Sequence, residues 1–455
     1  MANNEQKHIV SDKMTAPSTT TPCNKWLSTA IISVRIIIGC VFIFSGIVKL
    51  IDPWGTAYKI EDYLMVANLR IMSPLPLITS IALSLAELLI GVNTLLGSYF
   101  RSNPLLLLIF MIFMTPLTLF LAVVNPIPDC GCFGDALHLS NWQTFAKNVV
   151  LLSGAIFLYR YNHCVKSVFH REFQAFTIIW SIIYATIIVW IALAYMPILD
   201  FRPFKTGTDL AAAYYGEGTP DIEYDFIYQR NGQQATFTID NLPNQEEGWQ
   251  FVERKQRSGT SAQSAHNILL EHFTIYDGND EMTEEILDRS GFSFIMFSQD
   301  LNTANDNHVN KLNELHDYCK EYGYPFYAVT ASSPQEIDEW LDNTGGEYTF
   351  MFMDKTTIRT IARNNPFVLI LRDGNIYYKC PISQLPDETE LTTVFEEVEK
   401  CQPSQQFTPR QATAFVITLL VLPIIILYIG ERLLLTMLRQ YRKSKNKKNE
   451  QTINN

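Results

Sequence analysis

The sequence lacks the motifs that identify three common enzyme classes: the glycine-rich dinucleotide fingerprint, the P-loop and the two-histidine helix motif of zinc proteases. It is also poor in positive charge, with 35 lysines and arginines against 46 aspartates and glutamates and a net charge of −11. A nucleic-acid partner is therefore not expected. The acids are concentrated between residues 209 and 400, whereas the bases lie beside apolar segments. This division predicts two or three domains in different environments.

Long apolar runs dominate the rest of the chain, which is 47% hydrophobic. Six runs reach the roughly 20 residues that are needed to cross a bilayer. They are Trp26–Ile51, Pro74–Ser98, Pro104–Asn125, Trp142–Tyr159, Phe176–Leu199 and Ala412–Gly430. The first run follows a polar leader and precedes no small-residue cleavage site, so it is expected to be a membrane anchor and not a signal peptide.

The distribution of lysine and arginine predicts how these runs are oriented. The C-terminal tail is strongly basic and should be cytoplasmic, with Arg439, Arg442, Lys443, Lys445, Lys447 and Lys448. Six crossings then place both termini on the cytoplasmic side of an inner membrane. Residues 200–411 and the loop around residue 130, which contains no lysine or arginine, fall on the outer side, where disulfides can persist.

Arg35 and Glu87 lie deep inside the first two runs. Charge is costly in hydrocarbon, and counting about 1.5 Å per residue from the cytoplasmic helix ends gives both residues a similar depth. We expect them to pair, either as a structural ion pair or as a site for a proton or a quinone headgroup. Lys49 is expected only to reach the outer interface. Glycines in both runs should allow close helix packing: Gly39, Gly46, Gly91 and Gly97.

Cys130 and Cys132 flank a single glycine in the loop between the third and fourth runs. A disulfide closed over one residue would be strained and easily reduced, which favours reversible exchange. A static disulfide to another cysteine and two idle thiols are alternatives. A metal site would need His138 with Asp129 or Asp135, and because this set of ligands is sparse, no metal site is predicted.

The loop Asp129–Asp135, the segment Ala86–Gly91 and the segment Leu139–Trp142 with Asn148 resemble the DoxX/MauE-type membrane family over residues 26–160. The Cys-Gly-Cys-Phe-Gly sequence is most similar to the MauE (methylamine utilisation protein) side. The resemblance implies a four-helix membrane module that supports thiol oxidation of envelope proteins or quinone-linked electron transfer. It implies Cys130 and Cys132 as the redox pair, a quinone as the cofactor, and an envelope client or redox protein as the partner.

The region outside the membrane begins with a hairpin pattern, in which Glu223–Gln229 and Gln234–Asp240 alternate around Asn231-Gly232 and Gly248–Glu253 adds a strand. Strands and helices then alternate, and this order resembles a thioredoxin-like fold over about 270–400. Strands are predicted at Phe292–Phe297, Pro325–Thr330, Tyr348–Met353, Phe367–Leu371 and Asn375–Lys379, and helices at Asn307–Glu321, Ser333–Leu341, Thr356–Arg363 and Asp387–Lys400. Asn365-Pro366 matches the cis-proline position of that fold.

The position where a thioredoxin carries its Cys-X-X-Cys motif reads Ser298–Thr303 here and contains no thiol. Dithiol chemistry is therefore not expected there, and the domain is expected to bind or dock a partner. A redox role for Cys380 or Cys401, or a disulfide between them, stays open. Cys319 is expected to be a buried small apolar residue. On the cytoplasmic side, Cys164 is expected in a solvated loop, together with His163 and His170.

The predicted fold class is an α-helical polytopic membrane bundle with an α/β thioredoxin-like soluble domain. Its parts are a disordered tail (1–25), the four-helix membrane domain (26–160), a fifth transmembrane helix (161–200), a linker with a β-hairpin (201–265), the thioredoxin-like domain (266–403), a sixth transmembrane helix (410–432) and a basic tail (433–455). Two functions are open: a component of a membrane thiol–disulfide oxidoreductase, and a non-enzymatic scaffold that binds an envelope partner. Because no inverted copy of the charged-helix pattern is found, a transporter is disfavoured.

Overall fold

A computed structural model of the protein describes residues 24–66, 74–125, 131–137, 139–215, 224–230, 233–237, 250–256, 273–386 and 409–453. Within residues 224–256 and beyond residue 444, the description is limited to the backbone.

The N-terminal part of the protein is helical. It contains α1 (Lys25–Ile51), α2 (Pro53–Val66), α3 (Leu75–Leu96), α4 (Asn103–Val124), α5 (Asn141–Arg160) and α6 (Arg171–Ala194). The short helix α2 is not among the predicted elements. It begins where the side chain of Asp52 accepts a hydrogen bond from the backbone N–H of Gly55 at 2.9 Å, with Pro53 at the first helical position. Asp followed by Pro is a common helix start, so the sequence did contain this signal.

The helices α1 and α3 pack with their backbones in contact. A Cβ atom placed on Gly46 would lie 2.8 Å from the backbone nitrogen of Leu88, and one on Gly91 would lie 2.7 Å from that of Ile43. Neither position has room for a side chain, which confirms that these glycines allow close helix packing.

After α7 (Leu210–Tyr214), which lies in the predicted linker, a three-stranded antiparallel sheet forms. Its strands are β1 (Tyr224–Arg230), β2 (Gln233–Phe237) and β3 (Gln250–Gln256), in the order β2-β1-β3. The predicted hairpin and third strand are therefore present, while the turn Asn231-Gly232 lies outside the described residues.

A seven-stranded mixed sheet forms the second domain, with the strand order β10-β9-β6-β7-β8-β4-β5. The strands β6, β7 and β8 run parallel, and β9 is antiparallel to β6. The strands are β4 (Tyr276–Asp277), β5 (Asp280–Glu281), β6 (Phe292–Ser298), β7 (Phe326–Thr330), β8 (Phe350–Phe352), β9 (Phe367–Arg372) and β10 (Asn375–Pro381). The helices of this domain are α8 (Thr283–Leu287), α9 (Val309–Tyr322), α10 (Pro334–Thr344) and α11 (Lys355–Ile361).

Local signals in the sequence set several of these elements. Ser333 and Glu336 form a capping box at the start of α10, as expected. Asp373 and Gly374 both have positive φ, 49° and 73°, which is the geometry of a tight hairpin turn between β9 and β10. The peptide bond between Asn365 and Pro366 is cis, as the sequence predicted.

The cysteines of the sheet domain lie in its core. Cys319 is fully buried on the inner face of α9, which confirms its expected role as a small apolar residue. Cys380 is buried on the same side of the sheet and is a free thiol. Of the possibilities that the sequence left open, a disulfide at Cys380 is not formed, because this residue is a free thiol in the packed interior. Cys401 and the predicted helix Asp387–Lys400 lie outside the described residues.

The last helix, α12 (Pro409–Ile453), is far longer than the sixth predicted crossing and continues through the predicted basic tail. Five described helices are long and apolar enough to cross a membrane: α1, α3, α4, α6 and the Pro409–Ser444 part of α12. The fourth predicted crossing is a helix, α5, but it carries Gln143, Lys147 and Asn148 and is not among the five. The protein is thus a multi-pass membrane protein, and six crossings stay a prediction.

Candidate functional site

A buried ion pair lies between α1 and α3. The ammonium nitrogen of Lys49 is 2.7 Å from Oε1 of Glu87, and the two side chains are only 6% and 7% exposed. Two ions removed from water together are stabilised only when they are paired and hydrogen-bonded. Lys49 therefore does not simply reach the outer interface, as the sequence had suggested.

Ser45 links this pair to the cysteine loop. Its hydroxyl oxygen is 2.7 Å from Oε2 of Glu87 and 2.7 Å from the backbone carbonyl oxygen of Cys132. Ser45 and Lys49 are four residues apart and share one face of α1. One hydroxyl proton can serve only one of the two acceptors at a time, so the bonding at Ser45 depends on where the protons of this cluster reside.

The turn that carries Cys132 is packed tightly against α1, α2 and α5. Gly131 has φ +66°, and a Cβ atom there would lie 3.2 Å from Cγ of Lys59 in α2. The ring of Phe133 lies 5.5 Å from that of Phe44, and the ammonium of Lys147 is 4.2 Å from the Phe133 ring centroid. Two lysines therefore flank the turn. Cys132 itself is half-buried.

A cavity of about 280 Å³ lies beside this cluster. Its polar residues include Ser45, Lys49 and Glu87, at the end where Cys132 lies. Most of the remaining lining is apolar: Val41, Phe42, Leu83, Phe110, Met111, Phe113, Met114, Leu117 and Leu151. An apolar cavity with a few convergent polar groups is the usual form of a small-molecule site.

Arg35 does not pair with Glu87, contrary to our expectation. Its guanidinium donates to the backbone carbonyls of Thr94 at 3.1 Å, Leu95 at 3.0 Å and Lys166 at 2.9 Å. These carbonyls include the unpaired ones at the end of α3, where a cation is favourable. The guanidinium lies against Gly97, whose φ of +66° and lack of a side chain make room for it. Arg35 thus caps a helix and does not belong to the Glu87 cluster.

The sheet domain is docked on this same end of the membrane domain, through Arg363. Its guanidinium donates to both carboxylate oxygens of Asp52, at 2.8 to 3.1 Å, and to Asp135 at 2.9 Å. Burial alone would raise the pKa of Asp52, but the charges of Arg363 and Arg202 outweigh it and hold this pKa below its usual value. Asp135 therefore binds an arginine in this structure.

A second set of contacts lies beside Arg363. The guanidinium of Arg359 stacks over the Tyr58 ring at 4.2 Å, donates to Gln299 at 2.9 Å and lies 3.4 Å from Glu61. Gln299 also exchanges hydrogen bonds with the Tyr58 hydroxyl. Gln299 belongs to the thiol-free segment Ser298–Thr303, so the segment expected to dock a partner contacts the protein's own helix α2.

The two domains enclose a second, polar cavity of about 560 Å³. The sheet domain contributes the segment after β6 and the loop before β9, including Asp300 and Pro366. The membrane domain contributes Trp54 and Tyr58 of α2 and the last residues of α6. In α/β sheets, ligands commonly bind beyond the carboxyl ends of the strands, where the strand order reverses, and β6 ends at such a point.

A buried cluster fixes the segment that joins α6 to the sheet. The ammonium of Lys379 lies 2.5 Å from Asp200 and donates to the carbonyls of Phe204 and Ile361. Arg202 bonds the other oxygen of Asp200 at 2.8 Å. Burial lowers the pKa of Lys379 to about 8. Burial would raise the pKa of Asp200, but its two cations outweigh this effect and the pKa is held below its usual value.

Several predicted site residues cannot be compared with the geometry, because Cys130, Asp129 and His138 lie outside the described residues. The prediction for Cys164 is wrong, since this residue is buried and disulfide-bonded. His170 also has a defined partner, with its Nδ1 atom 2.6 Å from Oε1 of Glu431 in α12.

Sequence reasoning missed Lys49 and Arg363 as site residues. Lys49 could have been found, because Ser45 and Lys49 lie on the α1 face that carries Gly46. No local pattern distinguishes Arg363, whose partners are more than 200 positions away in the chain.

Comparison with known proteins bears on the N-terminal domain. Residues 25–160 match the family model of the methylamine utilisation protein MauE. Residues 222–258 match a domain of unknown function (DUF8463), which covers the three-stranded sheet. No curated protein and no solved structure matches the chain. The MauE-like character of the helical domain that contains Cys132 and Glu87 is confirmed.

Proposed function

We propose that this protein is a membrane component of thiol–disulfide exchange, in which Cys130 and Cys132 alternate between dithiol and disulfide. The observation that carries the proposal is the position of Cys132. Its backbone is held by Ser45 beside the Lys49–Glu87 pair, at the polar end of an apolar cavity. The MauE-type domain over residues 25–160 supports the same role.

The surroundings of the turn suit thiol exchange. The aliphatic part of Lys59 lies against Gly131, and the ammonium of Lys147 lies 4.2 Å from the ring centroid of Phe133, the residue next to Cys132. Nearby cations favour the thiolate, which is the form that attacks a disulfide. In each cycle, a client dithiol becomes a disulfide and the Cys130–Cys132 disulfide becomes a dithiol, so two electrons and two protons enter the protein.

A quinone is the acceptor that fits the cavity. The apolar lining, including Phe110 and Met114, would hold a ring, and the donors Lys49 and Ser45 would bond its oxygens. When bound, a quinone accepts two electrons and two protons and becomes a quinol. Ser45 lies within hydrogen-bond distance of both Glu87 and the backbone carbonyl of Cys132, so the cavity and the turn share one hydrogen-bonded cluster.

The proposed location is the cytoplasmic membrane, with the sheet domain and the cysteine turn on the outer face. The basic residues of α12 and of the loop before α6 support this orientation. The disulfide at Cys164 opposes it, because disulfides are rare on the reducing side of a membrane and this orientation places Cys164 there.

The redox state of the pair in living cells tests the proposed function. Cells would be quenched with acid, their free thiols alkylated with a mass-tagged maleimide, and the protein resolved on a gel. We expect a mixture of dithiol and disulfide that shifts toward dithiol when quinone synthesis is blocked. Variants with Cys130→Ser or Cys132→Ser should lose this shift, whereas Cys40→Ser, which changes a free cysteine of α1, should keep it. Permanently free thiols would contradict the proposal.

A non-enzymatic scaffold is the second candidate function. It is favoured by the thiol-free segment Ser298–Thr303, which contacts α2 through Gln299. The strand order β7-β6-β9-β10 and the cis Asn365–Pro366 bond support the thioredoxin-like interpretation, whose ligand side would be this segment. A scaffold would bind its partner equally well when Cys130 and Cys132 are both serine, whereas an exchange component would lose its mixed disulfide with a client.

A further inference from the structure

The side chain of Arg363 links the sheet domain to the turn that carries Cys132. Its Nη2 atom lies 2.8 Å from Oδ2 of Asp52 and 2.9 Å from Oδ2 of Asp135. Asp135 lies in the 3-10 helix Gly134–Ala136, directly after the turn, and Asp52 follows the last residue of α1. One guanidinium therefore joins the end of the turn, the end of α1 and the sheet domain.

The position of this guanidinium is built by several elements. Arg363 is 8% exposed, its Nη1 atom donates to the carbonyl of Arg359 at 2.7 Å, and its charge lies 5.5 Å from the Tyr58 ring centroid. A Cβ atom on Gly55 would lie 2.8 Å from Nη2 of Arg363. The same Cβ atom would lie 2.5 Å from Oδ2 of Asp52, so a side chain at position 55 would displace the groups of the Asp52–Arg363 pair.

Other contacts hold the turn against the membrane domain. Ser45 donates to the carbonyl of Cys132, and the backbone N–H of Gly134 donates to Gly131 at 3.0 Å. A charge-assisted bond at the end of the turn restricts its conformational freedom further.

We propose that Arg363 is a positioning residue for Cys132, so that docking of the sheet domain fixes the turn in which this cysteine lies. The importance of this positioning for thiol exchange rests on the proposed function. The geometry of the Arg363 contacts does not depend on it. When the sheet domain is docked, Arg363 neutralises Asp52 and Asp135 and holds the turn against α1. When the contact is lost, Asp52 and Asp135 lose the guanidinium that joins them and the turn is released.

The alkylation rate of Cys132 tests this role. The full-length protein would be reduced, placed in lipid nanodiscs and treated with N-ethylmaleimide, and labelling at each cysteine would be followed by mass spectrometry. Because Cys132 is half-buried, we expect Arg363→Ala to accelerate its labelling by about tenfold or more. Arg363→Lys, which keeps the charge but not the bidentate fork, should give an intermediate rate.

Two further variants separate a local effect from general unfolding. Gly55→Ala should also accelerate labelling of Cys132, although it removes no charge, because the added methyl group displaces Arg363. Arg372→Ala is the matched control, since Arg372 is exposed and lies at the far hairpin.

A coupling measurement completes the test. If Arg363 acts through Asp135, then Asp135→Asn combined with Arg363→Ala should label no faster than the faster single variant. Unchanged labelling of Cys132 in Arg363→Ala, with the thermal midpoint preserved, would overturn the inference. This readout needs no turnover, so thiols that never cycle in cells would overturn the proposed function and leave the positioning role standing.

Discussion

The carboxylate of Glu87 lies 2.7 Å from the ammonium of Lys49, and both side chains are almost completely buried between α1 and α3. Each ion is therefore stabilised mainly by the other and by close hydrogen-bonding groups. Ser45 connects this pair to the backbone of Cys132, which makes the pair part of the environment of the cysteine turn.

Removing the cation from this pair should be strongly destabilising. Lys49→Met leaves the Glu87 carboxylate buried without its ammonium, and we expect a loss of about 3–5 kcal/mol in the free energy of unfolding. Adding Glu87→Gln should restore most of it. Thermal unfolding of the purified protein in detergent measures both effects. The exposed Lys320–Glu347 pair is the control, and Lys320→Met should change stability by no more than about 0.5 kcal/mol. Equal effects at the two sites would contradict the structure.

A single methyl group on Gly46 should separate α1 from α3. Because a Cβ atom there would lie 2.8 Å from the backbone nitrogen of Leu88, we expect Gly46→Ala to reduce stability by about 1–3 kcal/mol. Gly430 in α12 has open space around it, so Gly430→Ala should be neutral or stabilising by up to about 1 kcal/mol. Both are measured as shifts of the thermal midpoint, and a neutral Gly46→Ala would refute the close packing.

Stability should rise with pH because of Lys379. Its pKa is about 8 in the folded protein, whereas an ordinary lysine, as in the unfolded chain, has a pKa of 10.5. Between these pH values the unfolded chain therefore binds more protons than the folded protein. The free energy of unfolding therefore increases through this window, by about 3 kcal/mol in total. When the pH is raised from 7.5 to 10, the change in thermal midpoint should be more positive in the natural protein than in the Lys379→Met variant. Parallel pH curves would contradict the burial of this charge.

Docking of the sheet domain should protect the backbone of α2. A 14-residue helix is marginal on its own, so its amide protection depends on what packs against it. Arg359→Ala removes the contacts to Tyr58, Gln299 and Glu61, and hydrogen exchange of α2 should accelerate. Arg289→Ala changes an exposed arginine of the same domain that bonds Tyr327, and should leave α2 unaffected. Faster exchange in both variants would indicate a global effect.

The orientation of the chain can be determined with two engineered cysteines. Glu339→Cys lies on the exposed face of α10, and Gln440→Cys lies on the exposed part of α12. In intact spheroplasts, a membrane-impermeant maleimide should label residue 339, and it should label residue 440 only after lysis. Mass spectrometry distinguishes these sites from the natural cysteines. The reverse pattern would place Cys164 and its disulfide on the oxidising side and would invert the proposed topology.

The mixed sheet was the part of the fold that sequence predicted best. Its buried strands, such as β6 and β9, are short apolar runs bounded by turn residues, and the Asp373-Gly374 turn and the Ser333 cap are local signals. Local signals fix element types because they depend on residues that are neighbours in the chain.

The candidate site was predicted only in part, because pairing between helices depends on their offset and rotation. Counting from helix ends placed Arg35 and Glu87 at equal depth. The contact of Gly46 with Leu88 fixes a different offset, in which Lys49 is opposite Glu87 and Arg35 reaches the end of α3. The contacts of Arg363 with Asp52 and Asp135 join residues that are far apart in the chain, and no periodicity in the sequence predicts such contacts.

The 45 residues of α12 form one continuous helix, which is about 68 Å long at 1.5 Å per residue. A hydrocarbon core of about 30 Å accounts for less than half of this length. The remainder is a stiff stalk that begins near Glu431, where His170 ties it to α6. Any protein that bound the far end of this stalk would be held at a fixed distance of some tens of ångströms from the bilayer, on the face opposite the cysteine turn.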